Sequence, residues 1–341
     1  MTKTQRKVSP LSENIAAWVL MGLALIAILQ LHLLAALLAG LLVYQLVHLL
    51  ASALHIPFIT SRNTKIAVVA LLAMATISLL VLGGIGITVF LRKGPDNLAT
   101  LLTQLAIIVD DLRRLLPGYI VANLPADTET VKTLVANWFR EHAGEVRTLG
   151  TDTLRAFAHI LVGLIIGGML ALHEVEPSTK STPFLQALTD RVRLLADTFL
   201  RIMQAQLPIS AINTALTAIY LVVVLPYFDI QLPFTKTLIV ITFFAGLLPV
   251  VGNLISNTLI FLVSLSLSFT VAMAALGFLV VIHKLEYFLN ARIVGARINA
   301  RAWELLIAML VFESAWGVAG LIAAPLFYAY LKQELAQRKL I

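Results

Sequence analysis

The sequence predicts an all-α, polytopic membrane protein with about seven or eight hydrophobic helical elements, two of them re-entrant hairpins. Three observations predict it. Of the 341 residues, 60% are hydrophobic and only 13% charged, a balance foreign to soluble domains of this size. The apolar residues gather in runs that approach or reach the ~20 residues of a spanning helix. Lys and Arg flank those runs, as they do in the short loops of membrane proteins.

The same composition excludes several function classes. Cysteine is absent, so no disulfide and no thiol chemistry are expected. No nucleophile–base set, metal-ligand spacing or Walker motif is present, so the reading is a non-enzyme without cofactor or metal. The net charge of +7 lacks aromatic–basic interleaving and is read through topology, not as a nucleic-acid surface.

Residues 1–93 form the N-terminal membrane part. Lys3, Arg6 and Lys7 place the N-terminus in the cytoplasm. No small-residue cleavage site follows the first apolar run, which is therefore read as a retained span. Ile15–Leu29 and Leu33–Leu50 are joined only by Gln30, Leu31 and His32, a tight helical hairpin. Ile66–Leu91 is a third, long span.

Residues 94–148 read as an extracytoplasmic amphipathic insert. Leu98 to Leu116 keep a 3.6-residue period until Pro117 and Gly118, and Val131, Leu134, Val135, Trp138 and Phe139 mark a second amphipathic helix. Asp110 and Asp111 are adjacent and do not share a helix face, so they are not read as a catalytic pair.

Residues 149–341 read as the transport core. Leu149–Leu172 carries Gly163-x-x-x-Gly167, a close-packing signal. An interfacial helix is expected over 184–203, with Arg191, Arg193 and Arg201 facing anionic headgroups. The span Leu207–Tyr227 follows, with Asn213 and Thr217 on one face.

Two broken hairpins are expected, over 236–269 and 304–331. In the first, Pro249 and Gly252 interrupt an apolar run, and Asn253, Ser256 and Asn257 come straight after. Non-helical backbone survives at membrane depth only when buried in protein or lining a wet cavity. Transporters use such breaks to hold ions and solutes with freed backbone groups. The plain alternative is a structural kink at Pro249. In the second, Glu313-Ser314 and Gly317-x-x-Gly320 break the run, and Glu304 suits a helix N-terminus. A charge such as Glu313 costs ~2.5–3.5 kcal/mol at a helix centre on insertion scales, so it either faces a cavity and carries a proton or sits at the hairpin tip. Lys284, Arg292, Arg297 and Arg301 mark a basic cytoplasmic loop.

Pro249-Val-Val-Gly252, Glu286 followed by Arg292-Ile-Val-Gly295, and Gly317-Val-Ala-Gly320 followed by Pro325 stand in an order that resembles the autoinducer-2 exporter family of bacterial membrane transporters. The resemblance covers nearly the whole chain through short motifs. It departs at Ala291, where the family usually has Pro, and at Ala300-Arg301-Ala302, where Leu-His-Pro is usual. The resemblance implies a homo-oligomeric inner-membrane transporter with both termini cytoplasmic. It implies export of a small signalling furanone or sodium–proton exchange without deciding between them. The expected path lies between Pro249, Gly252, Asn253, Ser256, Asn257 and Glu313, Gly317, Gly320, with Glu286, Arg292 and Gly295 in a gating cytoplasmic segment. Expected partners are the lipid bilayer, a small polar solute and a coupling proton or sodium ion. The competing class is a non-transporting oligomeric membrane scaffold.

Overall fold

The computed structural model describes residues 11–53, 61–92, 113, 128–173, 182–247, 251–298 and 300–339. Ten α-helices account for most of them: α1 Leu11–Gln30, α2 Leu34–Ala53, α3 Ser61–Arg92, α4 Thr128–Glu141, α5 Ala143–Leu172, α6 Pro183–Ile219, α7 Thr235–Gly246, α8 Val251–Leu265, α9 Phe269–Ile298 and α10 Ala302–Gln337. There is no strand among the described residues. Six helical segments are long and apolar enough to cross a membrane, which makes the chain a multi-pass membrane protein. The first amphipathic stretch of the insert lies outside the described residues, apart from Arg113. The second is helix α4, with Leu134 and Trp138 exposed on it.

The chain divides into two compact units. One comprises Met1–Leu72, Arg155–Gln206 and Leu289–Ile341, the other Ala73–Leu154 and Leu207–Phe288.

In the first unit, α1 and α2 form the expected tight hairpin. The Leu33 N–H bonds the Ile28 carbonyl and the His32 N–H bonds that of Leu29, with His32 left-handed at φ 56°. That pattern closes a helix C-terminus and satisfies its last carbonyls. Helices α2 and α5 meet backbone to backbone: a Cβ on Gly163 or Gly167 would fall on the carbonyl oxygens of Ala36 and Gly40. Small residues allow this approach, and it is what drives helix association where lipid is as apolar as leucine. Val43, Val47, Val68 and Ala171 fill the adjoining core.

The expected boundary between an interfacial helix at 184–203 and a span at 207 is absent. Helix α6 runs unbroken from Pro183 to Ile219 with Pro208 inside it. Arg191 is not at a headgroup position either: its side chain is only 3% exposed. It bonds the carbonyls of Ala187 at 2.5 Å and Asn14 at 3.1 Å and lies 3.6 Å from the Glu334 carboxylate. Glu334 also accepts from the Trp18 indole at 2.5 Å, and Arg338 lies 5.0 Å over the Trp18 ring. The carboxylate on α10 turns Arg191 inward, while Arg193 and Arg201 stay exposed. Arg191→Met therefore lowers stability by about 1–3 kcal/mol, because Glu334 loses its buried cation and keeps only Trp18 and the more exposed Arg338 at 3.9 Å. Arg191→Met with Glu334→Leu should regain most of that loss. Thermal unfolding in nanodiscs measures both, and equal losses in the two variants would contradict the pairing.

Helix α10 is a hairpin. Gly317 has φ 59° and ψ −141°, a backbone conformation open to glycine and strained for other residues. A straight helix would hold Glu304 and Lys332 about 42 Å apart, at 1.5 Å per residue. Instead their side chains pair, and the Tyr328 hydroxyl donates to Glu304 at 2.6 Å. Glu304 also accepts from the Arg301 N–H at 3.3 Å, so it caps the arm that it starts. The long apolar segment Trp303–Gln337 is thus two arms folded together. Gly320 permits the fold, since a Cβ there would land on the Phe312 carbonyl.

In the second unit, Tyr220, Leu221, Leu225, Leu238, Ile260, Ala275 and Leu279 form the core. Helix α6 is followed by one π-helical turn, Tyr220–Val224, closed by the Leu225 N–H on the Tyr220 carbonyl. Pro226 supplies the reason: it has no N–H for the preceding turn, and widening that turn relieves its ring.

Candidate functional site

The polar residues of the second unit gather where α6, α7 and α8 meet. Ser210, Asn213 and Thr217 stand at i, i+3 and i+7 on α6, one face of the helix, and all three are buried. Helix α7 adds the buried Thr242, and α8 adds the buried Asn253 and Ser256.

One bond joins two of these side chains, and the others bond backbone carbonyls. Asn213 Nδ2 donates to Asn253 Oδ1 at 3.0 Å, a bond between two buried amides on different helices. Ser210 Oγ donates to the Phe243 carbonyl at 2.6 Å, near the end of α7. Ser256 Oγ reaches the Asn253 carbonyl at 3.4 Å, and Thr242 Oγ1 bonds that of Leu238 at 2.8 Å. Not all the polar capacity is used. Asn213 Oδ1 and Thr214 Oγ1 are buried and have no hydrogen-bond partner among the described residues. Such oxygens are costly in an apolar surrounding. They are also the atoms that a cation or a solute donor would meet.

Two glycines make the junction possible. A Cβ on Gly252 would coincide with the Ala245 carbonyl, and one on Gly246 would come within 2.7 Å of Ser210 Oγ. Helices α7 and α8 therefore fold back on each other with backbone contact, and α6 closes on the end of α7. The chemistry available is neutral: amide and hydroxyl donors and acceptors at a helix break, with no carboxylate among the groups just named. That suits a polar solute or an alkali cation held by neutral oxygens.

The sequence-predicted residues fare differently. Gly252, Asn253 and Ser256 stand together in this junction. Asn257, one turn on, is only half-buried, so the two asparagines do not share one environment. Pro249 lies outside the described residues. Glu313, Gly317 and Gly320 belong to the other unit, on the α10 hairpin, and Glu313 is exposed before the bend. Glu286 is buried on α9. Arg292 is exposed on the same helix, which also contains Gly295. The expected basic loop beginning at Lys284 is therefore helical as far as Ile298. Ala291 explains it: the proline usual in the family would have disfavoured a helix at the residue before it, and alanine favours one. Sequence reasoning missed Ser210, Thr242 and Gly246. The spacing 210, 213, 217 of small polar residues in an apolar span was the signal available for the first of them.

The family model for the AI-2E family transporter matches residues 14–337. The chain belongs to the AI-2E transporter family. No curated protein and no solved structure matches it. Membership accounts for the long apolar helices together with a polar junction, since a transporter needs both a lipid-facing exterior and groups that replace the water around its cargo.

Proposed function

We propose that this AI-2E family member is a secondary transporter, exporting or exchanging a small polar solute or signalling molecule across the bacterial inner membrane. The paired, buried amides of Asn213 and Asn253 carry the reading, with Ser210, Thr214 and Ser256 beside them. A broken hairpin that brings neutral donors and acceptors into an apolar span supports transport over a scaffold, which gains little from such groups. The α10 hairpin, with Gly317 and Gly320, is proposed as a second re-entrant element, and the buried Glu286 with Arg292 and Gly295 as the cytoplasmic segment of the gate.

Sodium–proton exchange is the second reading. The oxygens of Asn213 and Thr214, which have no hydrogen-bond partner among the described residues, favour it, because a sodium ion takes oxygen ligands. Flux in proteoliposomes, with a panel of small polar solutes and separately imposed sodium and proton gradients, tests both. Solute flux that an imposed gradient or a counter-solute drives supports the first, sodium-driven proton movement without solute supports the second, and the absence of both supports a scaffold.

Orientation follows the basic residues: both termini are proposed to be cytoplasmic, in a homo-oligomer. Gln337→Cys is expected to react with a membrane-impermeant maleimide only in inside-out vesicles. The chain has no native cysteine, so the label reports a single position. Labelling from the outside would reverse the proposed orientation of the α10 hairpin.

A further inference from the structure

The first unit contains a groove of about 810 Å³ bounded by α1, α2, α5 and the first half of α6. Its wall is almost entirely aliphatic, and its polar groups sit at one end. His48 lies in the last turns of α2, His173 directly follows α5, and Thr189 and Arg193 stand in the first three turns of α6. Lys65 reaches the same end, with Nζ 3.5 Å from His48 Nε2. His48 Nδ1 is engaged with the Tyr44 carbonyl at 2.8 Å, which directs the other ring nitrogen to Lys65. The opposite end is formed by Ile28 and Leu33 at the α1–α2 turn. Among the described residues, no Asp or Glu lines the groove.

The dimensions fit one half of a bilayer. From Leu33 to His48 the groove follows this side of α2 for about 22 Å at 1.5 Å per residue. A bilayer is about 40–45 Å thick with its headgroups, so one leaflet, head and acyl chain together, extends about 20–22 Å. The close crossing of α2 and α5 at Gly40, Gly163 and Gly167 leaves no side chains there to fill the floor. A long apolar trough with a basic mouth matches an amphiphile with an anionic head. A soluble anion would use the mouth and leave the trough, and a neutral lipid would use the trough without needing the mouth.

We propose that this groove is a binding site for an anionic glycerophospholipid, with one acyl chain along α2 and the phosphate against Arg193, His173 and the Lys65–His48 pair. Basic pockets between membrane helices take phosphate headgroups in this way. The site does not rest on the transport reading: it shares only α6 with the polar junction, through residues 189–196 and not 210–217, and uses other chemistry. It gives the α2–α5–α6 packing a lipid requirement.

Native mass spectrometry of the delipidated full chain, titrated with phosphatidylglycerol and with phosphatidylcholine of the same acyl chains, tests the proposal. The expected result is at least a ten-fold preference for phosphatidylglycerol. Arg193→Gln should reduce that preference to below three-fold, and Arg193→Lys should restore part of it. Ile166→Trp, from an exposed position on the groove wall, should weaken binding of phosphatidylglycerol without lowering the melting temperature. Excess inorganic phosphate should leave the bound lipid in place. Equal binding of the two lipids would overturn the proposal, as would an unchanged preference in Arg193→Gln. Full binding by a folded Ile166→Trp would overturn the placement of the acyl chain, and displacement by phosphate would reduce the site to its mouth.

Discussion

Replacing both Asn213 and Asn253 by leucine is expected to cut flux by at least about ten-fold, a rise of ~1.4 kcal/mol or more in the barrier, with the melting temperature nearly unchanged. The argument rests on magnitudes. A hydrogen bond between side chains of membrane helices averages only about 0.6 kcal/mol, because the unfolded chain in lipid also finds partners. The Asn213–Asn253 bond is therefore a weak reason, on stability grounds, to keep two amides buried at 3.0 Å from each other. Two leucines of similar volume remove both polar groups and leave nothing unpaired. The single variant Asn253→Leu is a poorer probe. From the sequence it reads as a change that lipid tolerates, but in the structure it strands the Asn213 amide donor and should cost about 1–3 kcal/mol. The double variant separates the two effects. If it transports at the native rate in proteoliposomes, the junction is structural and the solute passes elsewhere.

Gly252→Val should lower both stability and flux. The added carbons meet the carbonyl carbon and oxygen of Ala245, which are backbone and cannot rotate away. Overpacking of this kind costs about 1–3 kcal/mol even where side chains can move, and the hairpin must open to admit it. Opening separates α7 from α8 and draws Asn253 away from Asn213. Gly277→Ala on α9 is the control of opposite sign. Nothing lies within 4 Å of a Cβ there, and alanine in place of glycine inside a helix gains about 1 kcal/mol. Melting curves of the two variants in nanodiscs should thus shift in opposite directions. A Gly252→Val protein that melts like the native one would mean that α7 and α8 are not packed as described.

The sequence by itself determined the class of the protein and the positions of its breaks. Hydrophobic runs report spanning helices because lipid leaves the backbone no other partner than itself, so the local pattern suffices. Gly252, Gly317 and Gly320 were legible for a related reason: glycine inside a long apolar run weakens the helix and stays only where a bend or a close approach needs it. Helix continuity was less legible. The merging of 184–203 with the next span depends on packing, which carries a helix through Pro208, while the helix from Lys284 to Ile298 was open to a local reading through Ala291.

Only the tertiary structure decided what the polar residues meet. Arg191 and Arg193 are two residues apart, both basic, and identical to any hydropathy scale, yet one is sealed against Glu334 and the other is exposed. Asn253 and Asn257 are one turn apart, yet only the first is buried against α6. Glu334 and Asn213, the partners that separate these cases, lie 143 and 40 positions away along the chain, as the numbering shows. A side chain's partner across a helix interface depends on how two helices are rotated about their axes. That rotation is set by the glycines, ridges and buried polar groups of both, and no single stretch of sequence contains it.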